Sequence, residues 1–261
     1  MKSREEIIKS IIDAAKLSKH INAAWELGAV AFDRVDEFSD IDLVFVVDDD
    51  FFEETFDTLE DTLKEIAPLE HKLGAPNNIS NGAYQNVYRL EGYSEFLVIE
   101  ICFIPSSTSH KPVEKEIHGE IIVHLDKRNI LNQKTNVLAL ARTMKDRYEK
   151  LKQVIEVYQF TVKKEIMRNN PTEAYFYYFS VTLNPLLELV RMHYSPFHYN
   201  FRHRYVYFEL PQRIVEEIEE FTFIKNLEDL EFKHKRILER FKEEILYLDK
   251  LDFLEHLNNH K

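Results

Sequence analysis

The five glycines of this 261-residue chain, Gly28, Gly74, Gly82, Gly92 and Gly119, all lie before residue 120. Glycine is the residue that takes up positive φ without penalty, so the sharp turns between short elements belong to the front of the chain. The charge divides at the same place. Residues 1–124 carry 11 basic and 25 acidic side chains, a net of −14, while residues 125–261 carry 23 and 21, a net of +2. Together these make the formal −12. The chain reads as two materials joined near residue 125: an acidic α/β segment and a glycine-free, slightly basic, all-α segment. With 44% hydrophobic residues there is apolar material for a sizeable core, which excludes wholesale disorder.

Other classes fall away quickly. A single cysteine, Cys102, excludes an internal disulfide framework and any cysteine-rich zinc site. No basic–apolar–small leader opens the chain, so the expected location is the cytoplasm. The most apolar run, 96–104, is nine residues long and contains Glu100, too short to span a bilayer. The negative charge argues against long nucleic acid as a partner. Neither G-x-G-x-x-G nor G-x-x-x-x-G-K-[ST] occurs, so dinucleotide and P-loop fingerprints are absent. The histidines are expected to form no metal signature.

Ser3 and Glu6 make a capping box ahead of Ile7, Ile8, Ile11, Ile12 and Ala15, and this spacing predicts an N-terminal amphipathic helix. Residues 21–27, 41–47, 84–90, 96–104 and 121–125 read as strands, and 51–67 as a helix. Farther on, 132–169 is one long helix or two, with no breaker inside. Pro171 opens a helix that runs to about Tyr194, with a kink at Pro185 and a stop at Pro196. Helices over 211–222 and 227–251 complete the second segment.

The chemistry concentrates in three carboxylates. Asp40 and Asp42 flank Ile41 at the start of a strand, and residues i and i+2 of a strand share a face. Both acids therefore project together while Ile41 and Leu43 point to a buried face. Aspartate is disfavoured in strands, and a side-by-side pair repels itself unless a cation lies between; hard divalent cations such as Mg²⁺ take oxygen ligands. Glu100 stands alone in an otherwise apolar strand, where a carboxylate needs a partner or a metal. If its strand neighbours that of Asp40 and Asp42, the three acids converge into a site for one or two metals, an arrangement suited to in-line phosphoryl displacement. The Asp48–Asp49–Asp50 run is read as a solvated turn at the strand's end.

Gly28, followed eleven residues later by Ser39-Asp40-Ile41-Asp42-Leu43 and by Glu100 on a later strand, resembles the nucleotidyltransferase (DNA polymerase β-like) superfamily. The segments 185–196 and 202–211, with Arg202, Arg204 and Pro211, resemble the helical domain of aminoglycoside and lincosamide nucleotidyltransferases. The resemblance implies an α+β chain: a catalytic domain with a mixed sheet over 1–126 and a helical, substrate-binding domain over 127–261. It implies Mg²⁺, one or two ions, on Asp40, Asp42 and Glu100, and ATP or another nucleoside triphosphate as co-substrate. The nucleoside monophosphate, AMP, would pass to a hydroxyl of a small molecule such as an aminoglycoside-like or lincosamide-like compound. Glu100 would hold the second metal or accept the hydroxyl proton. Gly28, Ala29, Arg34 and Ser39 would meet the nucleotide. Ala29 stands where the family has serine, Phe32 and Asp33 where many members have arginine and glycine, and Arg34 is placed to supply the missing cation.

In the second segment Lys145 is the expected phosphate contact, with Arg202 and Arg204 beside the family-like motif. Twelve aromatics fall within 175–208, five of them consecutive from Tyr175 to Phe179; they are open to core, to a pocket or to an interface in a homodimer. Arg191 and His198 loosely resemble the Arg…His motif of HEPN ribonuclease domains. Two rival functions stand beside the transferase acting on a small molecule: a transferase that modifies a protein side chain, and a nucleotide-binding module without turnover.

Overall fold

Ser3 closes the first helix as a reciprocal cap. Its hydroxyl accepts from the Glu6 N–H at 3.3 Å, and the Glu6 carboxylate accepts from the Ser3 N–H at 2.7 Å. Helix α1 (Arg4–Leu17) then buries Ile7, Ile8, Ile11, Ile12 and Ala15 along one face; Ile7 and Ile11, fully enclosed, contribute roughly 1.5–3 kcal/mol each. The computed structural model describes residues 1–74 and 82–261. These form two compact units, 1–135 and 136–261.

The first unit is built on six strands: β1 (Ile21–Leu27), β2 (Ile41–Val47), β3 (Leu69–Gly74), β4 (Tyr84–Leu90), β5 (Ile99–Pro105) and β6 (Ile122–Asp126), in the order β3-β4-β5-β2-β1-β6. Every pairing is antiparallel except β2 with β5, which is parallel. Parallel neighbours need a long connection; here it contains helix α2 (Phe52–Ile66), β3 and β4. Helices α1 and α2 cover one face, over Ile41, Leu43, Phe45, Ile99, Ile101 and Phe103. The other face carries Ala23, Trp25, Val44, Val46 and Ile104, packed by Val113 and Leu131. A short helix, α3 (Lys115–His118), precedes β6.

One strand, β3, is absent from the sequence reading, and two others begin later than expected. Strand β3 has no alternating apolar pattern because it is an edge strand whose residues after Leu69 are exposed, so no buried face dictates its residues. Strand β5 begins at Ile99 rather than 96: the Leu97 N–H goes to the Ser94 carbonyl at 3.0 Å and the Val98 N–H to the Phe96 carbonyl at 2.9 Å, so these residues turn instead of pairing. Strand β6 starts one residue late, at Ile122.

The second unit is helical. Helix α4 (Val137–Met167) runs unbroken for 31 residues. It is followed by α5 (Pro171–Tyr177), a π-helical turn (Tyr178–Leu183) and α6 (Asn184–Tyr194), then by α7 (Val206–Glu209), α8 (Gln212–Thr222), α9 (Leu227–Leu248) and α10 (Phe253–Asn259). The expected kink at Pro185 is this π turn. Proline has no N–H to offer the carbonyl four residues earlier, which is that of Val181; Gln159 Nε2 donates to it at 2.8 Å. The same Gln159 accepts through Oε1 from Thr182 Oγ1 at 2.7 Å and meets His234 Nε2 at 3.0 Å. Burial holds the His234 imidazole down, at about 4, so it is neutral at physiological pH and donates this bond.

The aromatic run is divided by the helix. Tyr178 is fully buried and donates to the Phe221 carbonyl at 2.8 Å, Phe176 is exposed, and Phe179 stacks on His203 at 5.2 Å.

Candidate active site

Parallel pairing of β2 with β5 sets Asp42 directly beside Glu100. Asp40 precedes β2 by one residue and shares the face of Asp42. One carboxylate oxygen from each of Asp40, Asp42 and Glu100 lies within 4.8 Å of the others, and all three side chains are half-buried. At an effective dielectric of about 20, two unit charges at this separation repel by roughly 3 kcal/mol. A cluster of hard oxygen donors at this spacing fits a divalent cation such as Mg²⁺. The convergence expected if the two strands were neighbours is therefore present.

Strand β1 adds the fourth wall. Leu27 pairs with Asp42, and the chain then turns at Gly28 with φ of +79°. A Cβ at Gly28 would sit 2.9 Å from Asp42 Cγ and closer still to Oδ2. Only glycine lets the main chain pass this close to the carboxylate while adopting left-handed φ. Residues Gly28–Phe32 form a 3₁₀ turn that contains Ala29. It is pinned from outside by the Glu120 N–H, which donates to the Ala31 carbonyl at 2.7 Å.

The loop back to Asp40 is closed locally. Asp36 Oδ1 accepts from the Phe38 N–H at 3.0 Å and from the Ser39 hydroxyl at 2.8 Å, and the Ser39 hydroxyl accepts from the Asp36 N–H at 2.9 Å. Ser39 thus closes the turn that delivers Asp40. Arg34 is half-buried, and its guanidinium lies over the Phe32 ring at 5.0 Å.

Sequence reasoning missed one neighbour of the acids. Gln85 on β4 donates through Nε2 to Glu100 Oε2. No local signal marks it: its place depends on the register of β4 with β5, in which Gln85 pairs with Cys102 and Val87 with Glu100, and partners across a ladder share a face. A pocket of about 240 Å³ opens here between Asp42, Glu100, Gln85, Cys102, Ile104 and Pro112. Burial, aided by the Glu100 charge, pushes the Cys102 thiol up to about 11; it lines the pocket as a neutral group rather than a nucleophile. The Asp48–Asp50 run lies at the other end of β2. Asp48 accepts from Asn22 Nδ2 at 2.8 Å and Ser106 Oγ at 3.3 Å, and these bonds hold its carboxyl below the usual range.

In the helical unit Lys145 is exposed on α4. Arg147 forms a two-pronged bond with buried Glu188, at 2.6 and 2.7 Å, and Arg202 Nε lies 3.7 Å from the same carboxylate. Arg204 lies over the rings of Phe201 and Tyr205. The Arg191 and His198 pair serves the fold. Arg191 is fully buried; it donates to the carbonyls of Arg202 and Arg204 and to Glu209 at 2.7 Å, and His198 Nδ1 also meets Glu209, at 3.1 Å. The pair is thus engaged with one buried carboxylate and two main-chain carbonyls of its own unit. One H-x-x-x-H spacing does exist, His256 to His260, but His256 Nε2 bonds the Met192 carbonyl at 2.9 Å and His260 Nδ1 the His256 carbonyl at 2.9 Å.

Among the described residues no helix is long and apolar enough to cross a membrane. No curated protein matches the chain. Among solved structures it is similar to spectinomycin adenyltransferase AAD(9) from Enterococcus faecialis, solved with ATP and spectinomycin. That match is 13% identical, covers 98% of each chain and has a TM-score of 0.37. The family model for streptomycin adenylyltransferase matches residues 1–195, three quarters of the chain, including all six strands and Asp40, Asp42 and Glu100. The chain belongs to the streptomycin adenylyltransferase family and is a nucleotidyltransferase.

Proposed function

We propose that this nucleotidyltransferase moves AMP from ATP to a hydroxyl of a cationic small molecule of the aminoglycoside class, with Asp40, Asp42 and Glu100 as the reacting centre. The observation that carries the reading is the convergence of these three carboxylate oxygens within 4.8 Å, against a glycine turn that leaves no room for a side chain. Asp40, Asp42 and Glu100 would hold Mg²⁺, which when bound neutralises the triphosphate and stabilises the charge that builds up during transfer.

The rest falls to the chain's own residues. The turn at Gly28 and Ala29 brings main-chain N–H groups toward the place where the phosphates lie. Ser39 secures the loop that presents Asp40. Glu100, oriented by Gln85, accepts the proton of the acceptor hydroxyl. The hydroxyl oxygen forms its bond to the α-phosphorus as the bond to pyrophosphate breaks, and pyrophosphate leaves with the displaced electron pair. Positioning and charge supply most of the rate. An acidic catalytic unit also draws a polycationic acceptor toward the site.

The test is incubation with α-labelled ATP, Mg²⁺ and a panel of aminoglycosides, aminocyclitols and lincosamides. Acceptor-dependent pyrophosphate release with label on an aminoglycoside-class compound is expected, and Asp42→Asn should lower it by more than 100-fold while the far-UV spectrum is unchanged. Label on protein, or ATP binding without pyrophosphate release for any acceptor, would overturn the reading. Activity of Asp42→Asn within a few-fold of wild type would overturn the site.

A further inference from the structure

The amino-terminal turn of α1 contains a residue in an unfavourable place. Arg4 is the first residue of the helix, and a cation there opposes the helix dipole, which favours the acids Glu5 and Glu6 that follow. Something else must hold Arg4. Its Nη2 donates to Glu26 Oε1 at 2.6 Å and to the main-chain carbonyl of Asp40 at 3.1 Å. A terminal guanidinium nitrogen carries two hydrogens, so both bonds can exist together.

Glu26 is a buried carboxylate on β1, with only 4% of its side chain exposed. It pairs with Leu43 and not with Asp42, so it lies on the α1 face of the sheet, opposite the three site acids. Burial raises its affinity for a proton, but the bonds from His124 and Arg4 outweigh that and keep the carboxyl below the usual range. His124 Nε2 approaches the other oxygen at 3.6 Å. This charged network is aimed at one element of the site. The loop ahead of Asp40 is exposed over residues 35–38 and is closed by its own Asp36–Ser39 turn and by the Phe38 ring edge-on to Phe96 at 5.1 Å. On the far side, the Ile41 N–H is tied to the Val98 carbonyl of the β5 approach at 2.8 Å. Arg4 ties the Asp40 carbonyl from the near side. The main chain that carries the first acid is thus held from both flanks.

We infer that Arg4, anchored by Glu26, is a positioning residue that fixes the Asp40 backbone, and with it the Asp40 carboxylate, for a divalent cation. The inference rests on the proposed role of Asp40, Asp42 and Glu100, and its test separates the two. The readout is the dissociation constant for Mn²⁺ alone, from the free-ion electron paramagnetic resonance signal, on the full chain well below its Tm. Loss of a supporting partner of a metal ligand typically costs about 10–100-fold in affinity, and Arg4→Met is expected near the lower end. Ile12→Val, which trims a buried side chain on the same helix without touching Asp40, should lower Tm and leave the Mn²⁺ constant unchanged.

If Arg4→Met does not fold, Arg4→Lys carries the test. Its ammonium keeps a charge for Glu26 but sits on a stem one bond shorter and cannot reach both Glu26 and the Asp40 carbonyl as Nη2 does, and a loss of roughly 3-fold or more is expected. A Mn²⁺ constant within two-fold of wild type in the folded Arg4 variant, with binding abolished in Asp42→Asn, would overturn the role of Arg4. Unchanged Mn²⁺ binding in Asp42→Asn would instead overturn the metal reading, and the Arg4 inference with it.

Discussion

Gly28→Ala puts two separable costs on the molecule. The first is conformational. Gly28 has φ of +79°, and an L-residue held in left-handed space costs about 1–2 kcal/mol. For a unit of this size that lowers Tm by roughly 2–8 °C. The second is steric and falls on the site. The new Cβ would lie 2.9 Å from Asp42 Cγ, whereas carbon pairs settle at about 3.5–4.0 Å, so the carboxylate must retreat by close to 1 Å. A displacement of that size at a reacting centre costs about 100-fold in rate, or ~2.7 kcal/mol of transition-state stabilisation.

Gly92→Ala separates these costs. Gly92 has nearly the same φ, +78°, with nothing within 4 Å of its added Cβ. Both variants should lose stability through strain, and only Gly28→Ala should lose activity and Mn²⁺ affinity. The assays are thermal unfolding, steady-state kcat/KM with the best acceptor, and Mn²⁺ titration. If Gly28→Ala keeps kcat/KM and Mn²⁺ affinity within about three-fold of Gly92→Ala, the close approach of Gly28 to Asp42 does not constrain the site and the reasoning fails.

Three further outcomes follow from the same structure. Gly119→Ala, whose Cβ would sit 2.8 Å from the Ala31 carbonyl carbon, should push the Gly28–Phe32 turn and raise KM for ATP, with a larger loss of Tm than Gly92→Ala. Gln159→Leu strands the Val181 carbonyl, the Thr182 hydroxyl and the His234 ring in the core; at about 1–3 kcal/mol per unpaired group, unfolding in urea should show a loss of several kcal/mol, while the apolar variant Leu63→Val, in the other unit, should lose far less. Although burial favours the protonated acid, the bonds from His198 and Arg191 bring the Glu209 carboxyl down to about 2 from an ordinary 4.5. That depressed value adds stability that is full above pH 4.5 and is lost as pH falls toward 2, so Glu209→Gln should flatten this part of the wild-type Tm-against-pH curve.

Much of the first unit was legible because its elements announce themselves locally. The capping box, the apolar period of α1 and the end of β1 at Gly28 all follow from spacing within a few residues. Asp40 and Asp42 were legible for the same reason: period two places them together whatever the rest of the chain does. Glu100 was only half legible. Its apolar surroundings marked it as a carboxylate in need of a partner, but that partner depends on β2 and β5 pairing across a connection of more than fifty residues, and no local pattern encodes a register between distant strands. Gln85, Arg4 and Glu26 were silent for that reason. A glutamine in a strand, an arginine in a helix and a glutamate near a strand's end are each ordinary until topology sets them beside Glu100 and Asp40. Edge strand β3 and the short α7 were missed because neither has a strong apolar face to declare it.

Local rules are broken in two places, and the contrast between them separates function from architecture. In the first unit the exceptions are Arg4 at a helix N-terminus, two aspartates opening a strand, Gly28 pressed against Asp42, and Asp33 at φ of +55°. In the second they are Arg202 and Tyr205 at positive φ, buried Arg191 and buried His198. The second set is satisfied within itself: Glu209 neutralises Arg191 and meets His198, the carbonyls of Arg202 and Arg204 accept two further bonds from Arg191, and the loop is held by the bonds it makes. The first set is organised around the strand ends instead. Its bonds hold the main chain at Asp40 from both flanks, while three acidic side chains converge within 4.8 Å of one another and the charge of Arg4 is directed to Glu26 on the opposite face. Carboxylates held this close repel one another, and a divalent cation bound between them would offset that repulsion. That contrast, more than the identity of any one residue, supports the proposed reading of Asp40, Asp42 and Glu100 as the reacting centre and of the Arg191 network as scaffold.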